Sequence, residues 1–272
     1  MDSAAFTARV RHAEPVMGTV VSFDVPVTAR YDGSLDAAVK WLHWVDRVFS
    51  PFRPDSDVSQ LADGAVTVEG CAPEMAEVIE ACAFVRELSG GYFTASPWGR
   101  FDPSGYVKGW AVERAADILS AAGSASHLVN GGGDVQCVGG RPGPAPVPGA
   151  GPGPGAGTPP PWRVGIADPL RRGPLALVVE ARDCGVATSG TAERGAHIVN
   201  PRTGQAAAGL ASVTVAGPSL ALADACATAA FAMGPDLARE WTESLDGYQA
   251  YAIAGTGETW QTSGFAAYIA RG

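Results

Sequence analysis

A run of glycine, proline and alanine in the middle of the chain limits what this protein can fold into. Residues 139–161 read GGRPGPAPVPGAGPGPGAGTPPP, so the segment cannot bury enough apolar surface to offset the entropy lost on ordering. We therefore predict a disordered surface insertion. Strand-like sequence flanks it at 131–138 and 162–166, which predicts that residues 1–272 form a single domain in which the insertion lengthens a hairpin.

The rest of the chain shows both helical and strand-like periodicity. With 272 residues, 46% of them hydrophobic, it can form one large core or two small ones. Apolar residues at helical spacing predict four helices, at about 34–49, 73–89, 106–122 and 220–233. Strand-like stretches predict β-structure at 18–26, 127–129, 131–138, 162–166, 175–181, 209–215, 248–254 and 264–269. The elements are interspersed without regular βαβ repetition, which favours an α+β fold, a mixed α/β sandwich.

The charge balance and the cysteines argue against several classes of protein. The net charge is −9, and an acidic surface repels nucleic-acid phosphates and anionic lipids, so we expect no nucleic-acid partner and no membrane insertion. The five cysteines are scattered without a C-x-x-C pair, which predicts reduced core residues. Residues 1–11 lack the apolar run of a signal peptide, and no stretch approaches the roughly 20 apolar residues of a spanning helix, which predicts a cytoplasmic location.

The helix predicted at 220–233 is almost wholly apolar apart from Asp224 and Thr228. These two residues are four apart, so both side chains project from one face of the helix. A buried carboxylate is costly unless it is paired or bound to a cation, and a carboxylate beside a hydroxyl suits Mg²⁺. In the alternative, Asp224 caps the helix while Thr228 bonds back to a carbonyl, and the spacing does not separate the two hypotheses.

Two more segments carry polar groups that suit a phosphate. The turn at 102–105 leads into a helix whose first turn holds Lys108, and helix N-termini favour anions. An aspartate–lysine salt bridge that fastens the turn is the alternative. The loop at 130–134, NGGGD, lets a ligand or another backbone approach closely, but it matches neither the P-loop nor the dinucleotide fingerprint.

A histidine follows a run of hydroxyl residues near the C-terminal third of the chain. Thr188-Ser189-Gly190 precedes His197 and the segment 198–204, IVNPRTG. His197 could act as a general base near neutral pH, with Asn200 or Thr203 fixing its tautomer or a neighbouring loop. A structural role in a strand is the alternative for this histidine.

Taken together and in this order, the segments resemble the ApbE family of flavin transferases. The matching motifs are MGT at 17–19, FSPF at 49–52 with 55–61, FDPSGYVKGWAVE at 101–113, NGGGD at 130–134, GIADP at 165–169, VATSG at 186–190 with HIVNPRTG at 197–204, and ADACAT at 223–228. The match spans about residues 14–234, with the glycine- and proline-rich insertion as its main interruption. Each motif is short, so their joint order carries the resemblance.

The resemblance implies an enzyme that moves FMN from FAD, its substrate, onto a threonine or serine of an acceptor protein. AMP is then released, and Mg²⁺ is the implied cofactor. If water replaces the acceptor hydroxyl, the same site is an FAD pyrophosphatase. A flavin-binding carrier without turnover is a further alternative from another class of protein.

The resemblance also implies roles for particular residues. His197 is implied as the catalytic proton-transfer residue, and Mg²⁺ is implied to bind the side chains of Asp224 and Thr228 and the main-chain carbonyl of Val107. Ala196 departs from the family pattern, where a second histidine is frequent, and so does Asn200, where aspartate is common. The residues implied to bind FAD or to lie close to it are Met17, Phe52, Tyr92, Phe93, Thr94, Ser104, Lys108, Glu113, Asn130, Gly132, Asp134, Thr188, Ser189, Gly190 and His197.

Overall fold

Most of the β-structure lies in one large antiparallel sheet. The computed structural model describes residues 8–141, 158–171, 173–191 and 198–270. The strands in these ranges are β1 Arg9–Val16, β2 Thr19–Pro26, β3 His127–Gly131, β4 Asp134–Val138, β5 Trp162–Ala167, β6 Leu175–Ala181, β7 Cys184–Gly190, β8 Val199–Asn200, β9 Gln205–Ala206, β10 Leu210–Gly217, β11 Gln249–Ala254 and β12 Thr259–Gln261. Eight of them form the sheet, in the order β1-β2-β3-β4-β7-β10-β11-β12. The pairs β5–β6 and β8–β9 form two small separate sheets.

A layer of helices covers one face of the large sheet. The α-helices in the described ranges are α1 Thr28–Tyr31, α2 Ser34–Phe49, α3 Asp57–Ala62, α4 Glu74–Leu88, α5 Ser104–Ala121, α6 Leu220–Met233 and α7 Pro235–Glu243. Helices α5 and α6 pack on each other and on β4, while α2 packs on the outer side of α5. A helix that is apolar all round must be surrounded, and α6 lies between α5, α7 and the sheet.

The sheet separates two hydrophobic cores. The larger core fills the space between the helices and the sheet, where Val213 and Val215 of β10 point. The smaller core lies on the opposite face, where Val135 and Val186 meet the β5–β6 pair and Phe265. Every residue of β10 is buried, because both faces of the sheet are covered at that strand. This layered arrangement confirms the predicted α+β fold, a mixed α/β sandwich.

The four helix predictions are confirmed, whereas the hairpin predicted around the insertion and the strand predicted at 264–269 are wrong. The segments around the insertion do not form a hairpin, because β3 and β7 occupy both edges of β4 and β5 pairs with β6 instead. The segment 264–269 forms a short 3₁₀ helix at Phe265–Tyr268 and only a single bridge, Val179 to Ile269. The 3₁₀ turn places Phe265 in the smaller core, stacked on Tyr251.

The structure tests the prediction about the cysteines, but it does not test those about the insertion, the domain count and the location. All five cysteines fall within the described ranges as free thiols, and four of them are buried, as expected for reduced core residues. Residues 142–157 of the predicted insertion lie outside the described residues, so the disorder of the insertion and the single domain stay predictions. Among the helices of the described ranges, none combines the length and apolarity needed to cross a bilayer. The cytoplasmic location stays a prediction.

Candidate active site

A cleft of about 1160 Å³ lies where the first turns of α5 meet the turns and strand ends of the large sheet. Its walls come from the β1–β2 turn, the segment after α2, the segment before α5, the β3–β4 turn, the β5–β6 connection, the end of β7 and one face of α6. Pockets for drug-sized ligands have volumes of about 300–1,000 Å³, so this cleft suits a ligand of dinucleotide size.

Most of the site residues that the sequence analysis named are found together in the lining of this cleft. They are Met17, Phe52, Tyr92, Thr94, Ser104, Val107, Lys108, Gly132, Thr188, Ser189, Gly190, Asp224 and Thr228. Phe93, Glu113, Asn130 and Asp134 are not among the lining residues. His197 lies outside the described residues, although Ile198 and Val199, which follow it directly, line the cleft.

We name as the cleft floor the lining residues Lys108, Asp224 and Thr228 together with Asp134, which is buried behind them and forms an ion pair with Lys108. Lys108 Nζ lies 2.6 Å from Asp134 Oδ2. The Asp134 side chain is almost wholly buried, and its Oδ1 accepts a hydrogen bond from the Thr188 amide at 3.1 Å. Burial raises the pKa of Asp134, while the Lys108 ammonium acts in the opposite direction. The ion pair therefore fixes the position of the Lys108 ammonium at the cleft floor, with its charge partly offset by Asp134.

Asp224 and Thr228 project together into the cleft, as their spacing on the helix indicates. Ser219 is the N-cap of α6, so the hypothesis that Asp224 caps the helix is wrong. Asp224 is only 2% exposed, and its Oδ2 accepts a hydrogen bond from the Gly109 amide at 2.9 Å. Thr228 Oγ1 lies 3.3 Å from Ser189 Oγ, within hydrogen-bond distance of the neighbouring strand.

The cleft floor fits a hard divalent cation. Burial is the main cause that raises the pKa of Asp134, and the neighbouring Lys108 and Asp224 side chains act in the opposite direction. Two neighbouring carboxyl groups are both ionised only where positive charge offsets them, and Lys108 supplies one positive charge here. Carboxylate and hydroxyl oxygens are the ligands that Mg²⁺ takes, with further positions left to water and substrate. Within the described ranges, no cluster of three or more His, Cys, Asp or Glu side chains could hold a metal. A cation here would therefore also need the Thr228 hydroxyl, a main-chain carbonyl or substrate oxygens.

Gly109 allows α5 and α6 to approach closely beneath the cleft. A Cβ atom at this position would lie 2.7 Å from the Leu220 carbonyl oxygen and 2.8 Å from Asp224 Cβ. Only glycine permits the contact that brings the Gly109 amide to the Asp224 carboxylate. Sequence reasoning did not single out this residue, although a glycine inside a helical pattern signals a packing or functional requirement.

Three residues that the resemblance implied as FAD-binding do not line the cleft and instead make contacts within the surrounding structure. Phe93 lies in the larger core, 1% exposed, and its amide donates to Ser89 Oγ at 2.9 Å. Asn130 Oδ1 accepts a hydrogen bond from the Gly133 amide at 2.9 Å, which shapes the β3–β4 turn. Glu113 lies at the N-terminal end of α6, where Oε2 accepts hydrogen bonds from Ser219 Oγ and the Ala221 amide, both at 2.8 Å.

Two exposed aromatic residues, Phe52 and Trp98, form the rim of the cleft. Phe52 is 85% exposed and Trp98 is 71% exposed. Trp98 also adopts a left-handed backbone conformation, with φ of 61°, which costs a residue other than glycine about 1–2 kcal/mol. Sequence reasoning did not single out Trp98, and its position between Pro97 and Gly99 was the available signal of an unusual turn.

The ring of Tyr92 is partly covered beside the rim. The Arg202 guanidinium lies over it at 4.8 Å from the ring centroid, and Arg202 Nη2 donates to the Gly90 carbonyl at 2.7 Å. Asn200 Oδ1 accepts a hydrogen bond from the Arg202 amide at 2.9 Å. The segment after His197 is thus connected to the wall that carries Tyr92.

The fold and the cleft define an α+β sandwich protein whose large cleft has a lysine, a carboxylate and a hydroxyl among its lining residues. A sequence profile of the ApbE family matches residues 17–98 and 94–252 of this chain. The chain belongs to the ApbE family.

Named relatives and a solved structure agree with this assignment. A Rhodobacter capsulatus protein named FAD:protein FMN transferase is 27% identical over 249 residues, which cover 87% of this chain and 42% of that relative. A Treponema pallidum protein of the same name is 35% identical over 145 residues, which cover 50% of this chain and 38% of that relative. The chain therefore spans about two fifths of the length of these curated relatives. The crystal structure of the ApbE protein from Thermotoga maritima superposes with a TM-score of 0.81 at 21% identity, covering 97% of this chain and 100% of that chain, and it shows the same fold.

Proposed function

We propose that this protein transfers FMN from FAD to a threonine or serine hydroxyl of an acceptor protein, with release of AMP and with Mg²⁺ as cofactor. Membership of the ApbE family and the names of the relatives support a flavin transfer reaction. The single observation that carries the proposal is the cleft floor, where a lysine, two carboxyl groups and a hydroxyl meet below a cleft large enough for FAD.

The residues of the cleft divide into groups with different roles. Met17, Phe52 and Tyr92 offer apolar and aromatic surface for the rings of FAD, with Thr94 beside them. The polar groups placed to meet the ribityl chain, the sugar and the phosphates are Ser104, Lys108, Gly132, Thr188, Ser189 and Gly190. Phe93, Asn130 and Asp134 hold these groups in place without lining the cleft.

The reaction is governed by positioning and by neutralisation of charge. The acceptor hydroxyl oxygen attacks the FMN-side phosphorus of FAD, the bond from that phosphorus to the bridging oxygen breaks, and AMP leaves with that oxygen. His197 takes the hydroxyl proton, and Lys108 offsets negative charge on the pyrophosphate. Bound Mg²⁺, which Asp224, Thr228 and the Val107 carbonyl would hold, supplies Lewis-acid neutralisation of that pyrophosphate.

One experiment separates this proposal from its rivals. The purified protein is incubated with FAD, Mg²⁺ and candidate acceptor proteins, AMP is followed by chromatography, and the acceptors are examined by mass spectrometry for an FMN adduct. AMP with an adduct supports transfer, whereas AMP without one under all conditions identifies a pyrophosphatase. FAD binding without AMP identifies a carrier, and a protein that binds no FAD contradicts every form of the proposal.

The His197→Ala variant tests the assigned general base. We expect transfer to fall by about 10²–10⁴-fold while FAD affinity is retained, because a general base acts in the transition state. Single-turnover transfer rates and fluorescence titration with FAD measure the two quantities. His43→Ala is the matched control, since His43 is exposed and does not line the cleft. Wild-type transfer by His197→Ala would assign the proton transfer to another group.

A further inference from the structure

The N-terminus of α6 lacks a capping acid of its own. Ser219 is the N-cap, and its Oγ accepts a hydrogen bond from the Leu222 amide at 3.3 Å. In a capping box, a glutamate or glutamine at the third helical position completes the cap, but α6 has Leu222 at that position. The first turn of this helix therefore needs an acceptor from elsewhere for its remaining amide groups.

Glu113 of α5 supplies that acceptor from another helix. Its Oε2 accepts hydrogen bonds at 2.8 Å from both Ser219 Oγ and the Ala221 amide. Burial raises the pKa of Glu113, while the hydrogen bonds from Ala221 and Ser219 lower it. A carboxyl group at a helix N-terminus is also favoured by the helix dipole. Glu113 thus fastens the start of α6 to the side of α5.

The same face of α5 makes a second contact with α6. Glu113 lies four residues after Gly109, so both point toward α6. The Gly109 amide donates to Asp224 Oδ2 at 2.9 Å, while Glu113 holds the turn of α6 that precedes Asp224. Helix α5 therefore contacts α6 at two points, through Gly109 and through Glu113. Together these contacts determine where the Asp224 carboxylate lies in the cleft floor.

We propose that Glu113 is a positioning residue that sets the place of Asp224 and so tunes the affinity of the cleft floor for a divalent cation. This inference rests on the proposed function, and it replaces a contact between Glu113 and FAD, because Glu113 does not line the cleft. Groups that orient a metal ligand through one intermediate contact commonly alter metal affinity by about 10–100-fold.

The test compares three variants of the 272-residue chain. FAD fluorescence and AMP release are measured against Mg²⁺ concentration, and melting temperature is measured without Mg²⁺. We expect Glu113→Ala to raise the half-saturating Mg²⁺ concentration by about 10–100-fold. Glu113→Gln keeps an acceptor oxygen and should remain within about threefold of wild type. Glu80→Ala, at an exposed position on α4 that does not line the cleft, is the matched control and should not change the Mg²⁺ dependence.

Other outcomes overturn the inference. A lower melting temperature of Glu113→Ala with an unchanged Mg²⁺ requirement identifies a purely structural cap. Weaker FAD binding in the absence of Mg²⁺ identifies a direct contact with FAD. If Glu113→Ala does not fold, Ser219→Ala removes the hydroxyl that Glu113 holds and should raise the Mg²⁺ requirement in the same direction. A wild-type protein without any Mg²⁺ response contradicts the proposed function itself, whereas a responsive wild type matched by the variants contradicts only the role of Glu113.

Discussion

The floor and the rim of the cleft depart from ordinary backbone preferences in opposite directions. On the floor side, Gly109 lies inside α5, where alanine would favour the helix by about 1 kcal/mol. On the rim, Trp98 adopts a left-handed conformation that glycine would adopt without strain. Gly109 therefore lacks a side chain that would favour its helix, whereas Trp98 has a side chain that disfavours the conformation of its turn.

The difference shows what each region is built to do. The neighbours of Gly109 are the Leu220 carbonyl and Asp224. Close packing between the two helices therefore requires a residue without a side chain at this position. Around Trp98, the indole is 71% exposed, so no packing within the described residues accounts for its strain. Strain without internal compensation points to contact with a ligand. The fold therefore accounts for Gly109, whereas for Trp98 we put forward the hypothesis that a bound ligand supplies the contacts that the protein does not.

The largest effect is expected from Asp224→Asn, which removes charge from the floor with little change of shape. Mg²⁺-dependent AMP release should fall by at least about 100-fold, because loss of even an indirect metal contact costs 10–100-fold. Metal-free stability should be kept or should rise, since a buried carboxylate is costly. Titration of AMP release with Mg²⁺ and thermal melting check both expectations. Asp236→Asn on the exposed side of α7 is the control, and an unchanged Mg²⁺ requirement in Asp224→Asn would remove Asp224 from the metal site.

The next effect is expected from Gly109→Ala, which forces α5 and α6 apart. The added Cβ meets the Leu220 carbonyl oxygen at 2.7 Å, so we expect a loss of about 1–3 kcal/mol in the free energy of unfolding. Gly105→Ala on the same helix is the control, because its Cβ would make ordinary contacts at 3.4–3.7 Å with Phe93 and Thr228. Urea denaturation measures both variants. Equal stability of the two would show that the helices are not held at the limit of their approach.

A smaller effect is expected from Trp98→Gly on the rim. Stability should change by less than about 1 kcal/mol, because relief of left-handed strain offsets the greater chain entropy of glycine. FAD affinity should fall by about 2–10-fold if the indole stacks on the ligand. Fluorescence titration and thermal melting test the pair of expectations, with Phe84→Ala as the control for an exposed aromatic residue that does not line the cleft. A marked loss of stability with unchanged FAD affinity would make Trp98 structural.

The smallest effect is expected from deletion of residues 142–157 in the predicted insertion. Melting temperature and FAD affinity should stay close to those of the wild type, because the cost of closing a loop varies slowly with its length. This variant marks the baseline against which the floor and rim variants are compared. A large fall in melting temperature would show that the insertion packs against the fold.

Local structure was predictable wherever the pattern depended on neighbours along the chain. Helices α2 and α6 begin and end where apolar spacing placed them. Strand β7, CGVATSG, was missed because its small and polar residues lack a β-branched run, yet it lies in the centre of the sheet between β4 and β10. Its burial comes from those neighbouring strands, so its own composition does not reveal it.

The sequence by itself determined the four longest helices, the layered α+β class, the shared face of Asp224 and Thr228, and the order of motifs that indicates the family. The tertiary structure decided that β5 pairs with β6, that Gly109 meets Asp224, and that Glu113 caps a helix that begins more than 100 residues later. The reason is the range of the interactions. Periodicity and capping within a helix depend on residues a few positions apart, whereas strand pairing, close helix contact and buried charge depend on distant segments that only folding brings together.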